Sequence, residues 1–131
     1  MPNPKTIRGF FVDPENNTAE ERTIEKSLES YYSLLCCDTI DIVSRSIGGK
    51  RYDIICDDEA LLKAPTYTSA LDSDGHPALF NALFVVKFDG RDDVTDLDDE
   101  DINNVGNHLT GVVVSIGDDF AYYNLLEGVD Y

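Results

Sequence analysis

Basic side chains are scarce in this chain. Lysine and arginine number 10 against 26 aspartates and glutamates, for a formal charge of −16 over 131 residues. The deficit is uneven: residues 1–63 hold 12 acids and 8 bases, whereas residues 64–131 hold 14 acids and only Lys87 and Arg91. A field of that sign repels nucleic-acid phosphate, so direct DNA or RNA binding is not expected and basic partners stay open. Long apolar runs are also missing; none approaches the eighteen or so residues of a membrane-spanning helix. The opening MPNPKTIRGFFVDPENN has neither the apolar core nor the small-residue cleavage site of a signal peptide. The expected setting is therefore the cytoplasm, with no membrane partner.

Cysteine is sparse and odd in number: Cys36, Cys37 and Cys56. An odd count without a secretion signal predicts free thiols, and neighbouring cysteines bridge each other only under strain. Buried, unreactive thiols are expected. Neither His76 nor His108 has a partner at zinc-finger spacing. No glycine-rich nucleotide loop, HExxH helix or GxSxG elbow occurs. His76 could be paired with Asp72 or Asp74 as a base, but it sits in a Gly/Pro loop and reads as a polar loop residue. A nucleophile at Cys36 or Cys37 would need a base from elsewhere, and the end of a helix raises a thiol pKa. No catalytic residue, cofactor or metal is expected, and the chain is not read as an enzyme.

What is present is a set of apolar segments with clear periods. Ile7–Val12 is β-rich and ends at Asp13-Pro14. Thr18 with Glu21 forms a capping-box pattern, and Ile24, Leu28, Tyr31 or Tyr32, and Leu35 recur at helical spacing, predicting a helix over about 19–36. Residues 38–46 and 51–56 read as a hairpin turned at Gly48-Gly49. An irregular connection follows, with one short helical turn at 59–62. Leu79–Phe88 reads as one central strand. In the tail, VVVSI and FAYYNL flank Gly117-Asp118-Asp119 and predict a second hairpin, or a strand with a draped tail.

The run from Asp89 to Ile102 holds eight carboxylates in fourteen residues. Half of them suit a helix start. Asp98 can cap by accepting from the N–H of Glu100 or Asp101, Leu97 and Ile102 take the hydrophobic-staple positions, and Asp99–Asp101 meet the positive end of the dipole. A helix over about 99–109 is predicted, with His108 at its end. The remaining acids, Asp89, Asp92, Asp93 and Asp96, do not follow the EF-hand spacing. They are candidate interaction residues. So are Tyr122 and Tyr123, of which one should face inward and the other outward to contact protein.

LESYYSLLCCDTIDIVSRSIGGKRYDIICDDEALLK, ALFNALFVVKFDG and TDLDDEDINNVGNHL, in that order, resemble DUF3846, a family of small domains of unknown function from Gram-positive bacteria, phages and mobile elements. Asp57-Asp58-Glu59 and Leu97-Asp98-Asp99-Glu100 occupy its acidic hairpin end and its helix cap. The chain departs from the pattern at Cys36-Cys37-Asp38, where a glycine pair is usual, and the resemblance stops near Leu109. It implies a mobile-element context and no activity, cofactor or site residue. The expected architecture is an α+β domain over 1–109, an antiparallel sheet of four to six strands with one long helix on a face and a second short helix. Residues 110–131 are expected as a strand or hairpin extension packed on it. The expected function is protein binding or regulation without catalysis, with a homodimer through the C-terminal segment as one form of it. The alternative is an acidic nucleic-acid mimic that blocks a basic groove.

Overall fold

The computed structural model describes residues 5–63, 66–88, 90 and 93–131, with the backbone alone at Val114, Ile116 and Ala121. Strands β1 (Thr6–Asp13) and β2 (Thr18–Glu25) lead into helix α1 (Leu28–Leu35), the hairpin β3 (Ile40–Ile47) and β4 (Lys50–Asp57), and a 3-10 turn at Ala60–Leu62. Strands β5 (Thr68–Leu71), β6 (Pro77–Phe80), β7 (Leu83–Phe88) and β8 (Val94–Thr95) precede helix α2 (Asp99–Gly106). The chain closes with β9 (Leu109–Ile116), β10 (Asp119–Leu126) and β11 (Val129–Asp130). A seven-stranded antiparallel sheet runs β11-β3-β4-β7-β1-β2, with β8 beside β7, and a four-stranded sheet runs β6-β5-β10-β9.

The α+β expectation is therefore corrected to a mostly β fold with two sheets and two short helices. The largest change lies at residues 18–25, expected as the first half of a long helix. They form β2, paired along its whole length with β1 from Asp13↔Thr18 to Thr6↔Glu25. The turn before it explains the outcome. Asp13 accepts from the N–H groups of Glu15 and Asn16, Asn17 takes φ 50, and its N–H returns to the Pro14 carbonyl. That turn folds the chain straight back on a buried strand. Ladder bonds to β1 then outweigh the helical preference of the glutamates, a preference worth only tenths of a kcal/mol per residue. The working cap comes nine residues later: Ser27 accepts from the Ser30 N–H and starts α1.

Two other expectations hold, and two are corrected. The Gly48-Gly49 hairpin forms with φ of 59 and 81, as a two-residue type I′ turn requires. The short helical turn is present at Ala60–Leu62. The connection after it is more regular than expected, since β5 and β6 form a hairpin. The single strand expected over 79–88 is two, broken where Asn81 adopts φ 60 and exchanges backbone and side-chain bonds with Tyr67.

The large sheet is apolar on both faces. On one, Ile7, Phe11, Ile55, Phe84 and Val86 pack under Tyr31 and Leu35 of α1. On the other, Phe10, Val12, Ile54 and Val85 pack against Val105 of α2 and against Ala70, Leu79 and Leu126 of the small sheet. Leu83 to Val86 are all fully buried, so β7 reads as a continuous apolar run because it is covered twice. Each such side chain contributes roughly 1.5–3 kcal/mol of transfer free energy. The last strand, β11, rejoins the large sheet beside β3, so the chain end is tied into both sheets.

Candidate interaction surface

The acid run is bound up by the scarce bases. Asp98 caps α2 by accepting from the Asp101 N–H at 2.8 Å, and Asp101 returns the bond by accepting from the Asp98 N–H at 3.1 Å. Leu97 is buried and Ile102 packs on the same apolar cluster, as the staple reading required. Asp99 pairs with Arg8 at 2.8 Å, and Arg8 also pairs with Glu21. Glu100 pairs with Lys50 at 2.9 Å. Asp96 accepts from the Arg8 backbone N–H at 2.8 Å, and Asp93 pairs with Lys26 at 2.6 Å. Asp89 and Asp92 lie outside the described residues. The described acids of the run thus tie α2 and its approach to β1, β4 and β7 and to Lys26, just after β2.

Asp101 is the centre of these ties. It is fully buried, with Lys87 on one carboxylate oxygen and the Tyr52 hydroxyl donating to the other at 3.1 Å. Lys50 lies 3.6 Å away. Asn104 donates to the Tyr52 oxygen and to the Ile47 carbonyl, both at 2.9 Å. Burial pushes the Asp101 carboxyl up, but the Lys87 ammonium, the Asp98 hydrogen bonds and the Tyr52 hydroxyl outweigh it and leave its pKa below the usual carboxylate value. His108 Nδ1 sits 2.8 Å from the Asn104 carbonyl, which can only accept, so the proton is on Nδ1. This network anchors α2 to the sheet.

Among the described residues the other polar groups are less organised. Asp72, Asp74 and His76 put ligating atoms within 4.8 Å of one another and could hold a cation at the surface. Asp72 already accepts from the N–H groups of Asp74 and His76, both at 2.9 Å, which shapes the loop. The three cysteines are free, as expected, but only two are buried: Cys36 is exposed at the left-handed end of α1. Burial pushes the Cys56 thiol up to about 12. A cleft of 480 Å³ lies beside the start of α1, between Lys26, Leu28, Tyr31, Ile42, Asp53 and Phe88. Its buried Tyr31 hydroxyl has no hydrogen-bond partner among the described residues. No helix of the described residues is long and apolar enough to cross a membrane.

The C-terminal hairpin differs from all of this. β9 and β10 pair from Leu109↔Leu126 to Ile116↔Asp119, closed by the two-residue turn Gly117-Asp118, with Gly117 at φ 60. At its base Tyr123, Leu125 and Leu126 are buried, and Tyr123 meets the Tyr67 ring edge-on at 6.3 Å. Towards its tip one face of the hairpin is exposed. Val113, Phe120 and Tyr122 share one face there, 65%, 77% and 59% exposed. The two tyrosines divide as expected, Tyr122 outward and Tyr123 inward. Val113 and Phe120 were not singled out by sequence, although strand alternation around the Gly117 turn places both with Tyr122.

A family model described as "Domain of unknown function (DUF3846)" matches residues 7–110. No curated protein and no solved structure matches the chain.

Proposed function

This chain belongs to the DUF3846 family, and from that premise we propose that it is a non-enzymatic protein-binding module that regulates a partner in a mobile-element setting, docking through the tip of its C-terminal hairpin. The observation that carries this reading is the exposed face of Val113, Phe120 and Tyr122. Large apolar side chains clustered on a soluble domain are costly in water, and aromatic ones are enriched at protein contacts. The contrast with the rest of the surface adds to it. The strand LTGVVVSI contains no ionisable residue in a chain where every fifth residue is an acid.

The nucleic-acid mimic is less well supported. Its carboxylates would have to stand free along a ridge, whereas those of α2 are engaged by Arg8, Lys50 and Lys87. Capture from a native-host lysate, with the wild-type chain compared against a Phe120→Ser/Tyr122→Ser variant, tests the docking reading. The variant is expected to lose the captured partner, and the wild-type complex to survive high salt. Equal capture by both chains, or loss of the complex in salt alone, overturns it.

A further inference from the structure

We infer that β9 is a self-pairing edge: two copies of this chain join through it to make one continuous eight-stranded sheet, β6-β5-β10-β9 continued by its two-fold mate. The inference deepens the docking reading by naming what the hairpin's edge binds, as distinct from its face. It needs no foreign partner for its test.

The backbone supplies the template. A two-residue turn makes Ile116↔Asp119 a bonded pair, so alternate residues down β9 (Ile116, Val114, Val112, Thr110) bond inward to β10. The N–H and C=O groups of Ser115, Val113, Gly111 and Leu109 then point away from β10. β9 is the last strand of its sheet, and no other described strand pairs with it. Natural edges are blunted by charge, proline, bulges or a covering loop. β9 has no charge and no proline, and its register with β10 is unbroken over eight residues.

Symmetry and the absence of charge along the edge suit a second copy. Antiparallel pairing of identical strands about a two-fold axis normal to the sheet places like faces together, so residues directly opposite must share a face. A two-fold at Val113 satisfies this: Val113 opposes Val113, and Gly111 opposes Ser115. The same register sets Ile116 opposite Thr110 and Gly117 opposite Leu109 of the second copy, while Asp118 and Asp119 lie beyond the paired span, in the turn and on β10. No acid opposes an acid, although each copy carries −16. Because the axis keeps both outer faces on one side, the two sets of Val113, Phe120 and Tyr122 merge into one apolar patch of twice the size.

Sedimentation of the full chain from micromolar to millimolar concentration reads the association directly. The expected result is a reversible monomer–dimer equilibrium that tightens with added salt, because salt screens the repulsion between two acidic bodies. Val113→Pro deletes an outward N–H that the monomer does not use, and Val113→Lys sets two cations at the axis. Each is expected to weaken dimerisation at least tenfold. Phe120→Ser changes the face and should leave the dimer in place. Amide exchange supplies a readout independent of folding defects in the variants: in the wild-type chain Gly111, Val113 and Ser115 should gain protection as concentration rises. A wild-type chain that stays monomeric overturns the inference, as does a dimer untouched by both Val113 variants. So does a dimer lost in Phe120→Ser but retained in Val113→Lys. The docking reading falls separately, if partner capture ignores Phe120 and Tyr122.

Discussion

Asp101 shows how one acid among eight acquires a different task from its neighbours. Its place at the third position of α2 turns the side chain back toward the cap, as a capping box demands. The sheet then brings Tyr52 and Lys87 to the same carboxylate. Asp101→Ala removes that carboxylate and leaves a buried hydroxyl and an ammonium without their acceptor. A loss of roughly 3–5 kcal/mol in urea unfolding is expected. The pH dependence follows from the lowered pKa. The folded group titrates below its unfolded value of about 3.9, so its contribution is fully present above that value and fades as pH falls through the folded pKa. The gap between wild type and Asp101→Ala should hold from about pH 7 to 5 and narrow below about pH 4. A gap that is unchanged at pH 3 would contradict the assignment. Gly48 belongs to the same neighbourhood. Its turn has φ 59, and a Cβ there would run into Asn104 Oδ1 and sit 2.6 Å from His108 Cε1. The hairpin glycine therefore also makes room for the last turn of α2.

At the scale of elements, the segment 18–35 is the most instructive. It holds two cap-like patterns, Thr18 with Glu21 and Ser27 with Ser30, and only the second is used. Thr18 opens a strand and donates its hydroxyl to the Asn16 carbonyl instead. Ser27→Ala should cost about 1 kcal/mol, and Thr18→Ala clearly less, both measured by chemical denaturation. The reverse order would place the helix start where the sequence pattern first suggested it. The acid run was more legible, because its cap, staple and dipole all lie within six residues and need no partner from outside. Its ion pairs were not: Arg8, Lys26 and Lys50 are 91, 67 and 50 positions away from their acids. No local pattern reports such distances. The split of the 79–88 run at Asn81 was hidden for a similar reason, since its φ of 60 goes with hydrogen bonds to Tyr67, just before β5.

For the molecule as a whole, charge and architecture pull in different directions. Ten bases cannot neutralise 26 acids, and the fold gathers several of those bases around α2 and β1. The excess acids repel one another across the rest of the surface. Exposed ion pairs are worth little individually and are screened together with the repulsion. Raising salt from about 20 mM to about 0.5 M should therefore lift the thermal midpoint by a few degrees, read by circular dichroism in dilute protein. A fall would mean that the ties of α2 outweigh the net charge.

The sequence by itself determined the things that depend on near neighbours and on composition. These are the acidity, the free thiols, the Gly48-Gly49 turn, the Asp98 cap, and the division of the Tyr122-Tyr123 pair between an inward and an outward side chain, though not which is which. Each follows from residues within one turn or one strand of each other. Tertiary structure decided which sheet each strand entered, that residues 18–25 would pair rather than coil, that Asp101 would be buried between lysines, and that β9 would be left at an edge. Those outcomes rest on contacts between residues far apart in the chain, where burial against a partner outweighs local preferences of tenths of a kcal/mol.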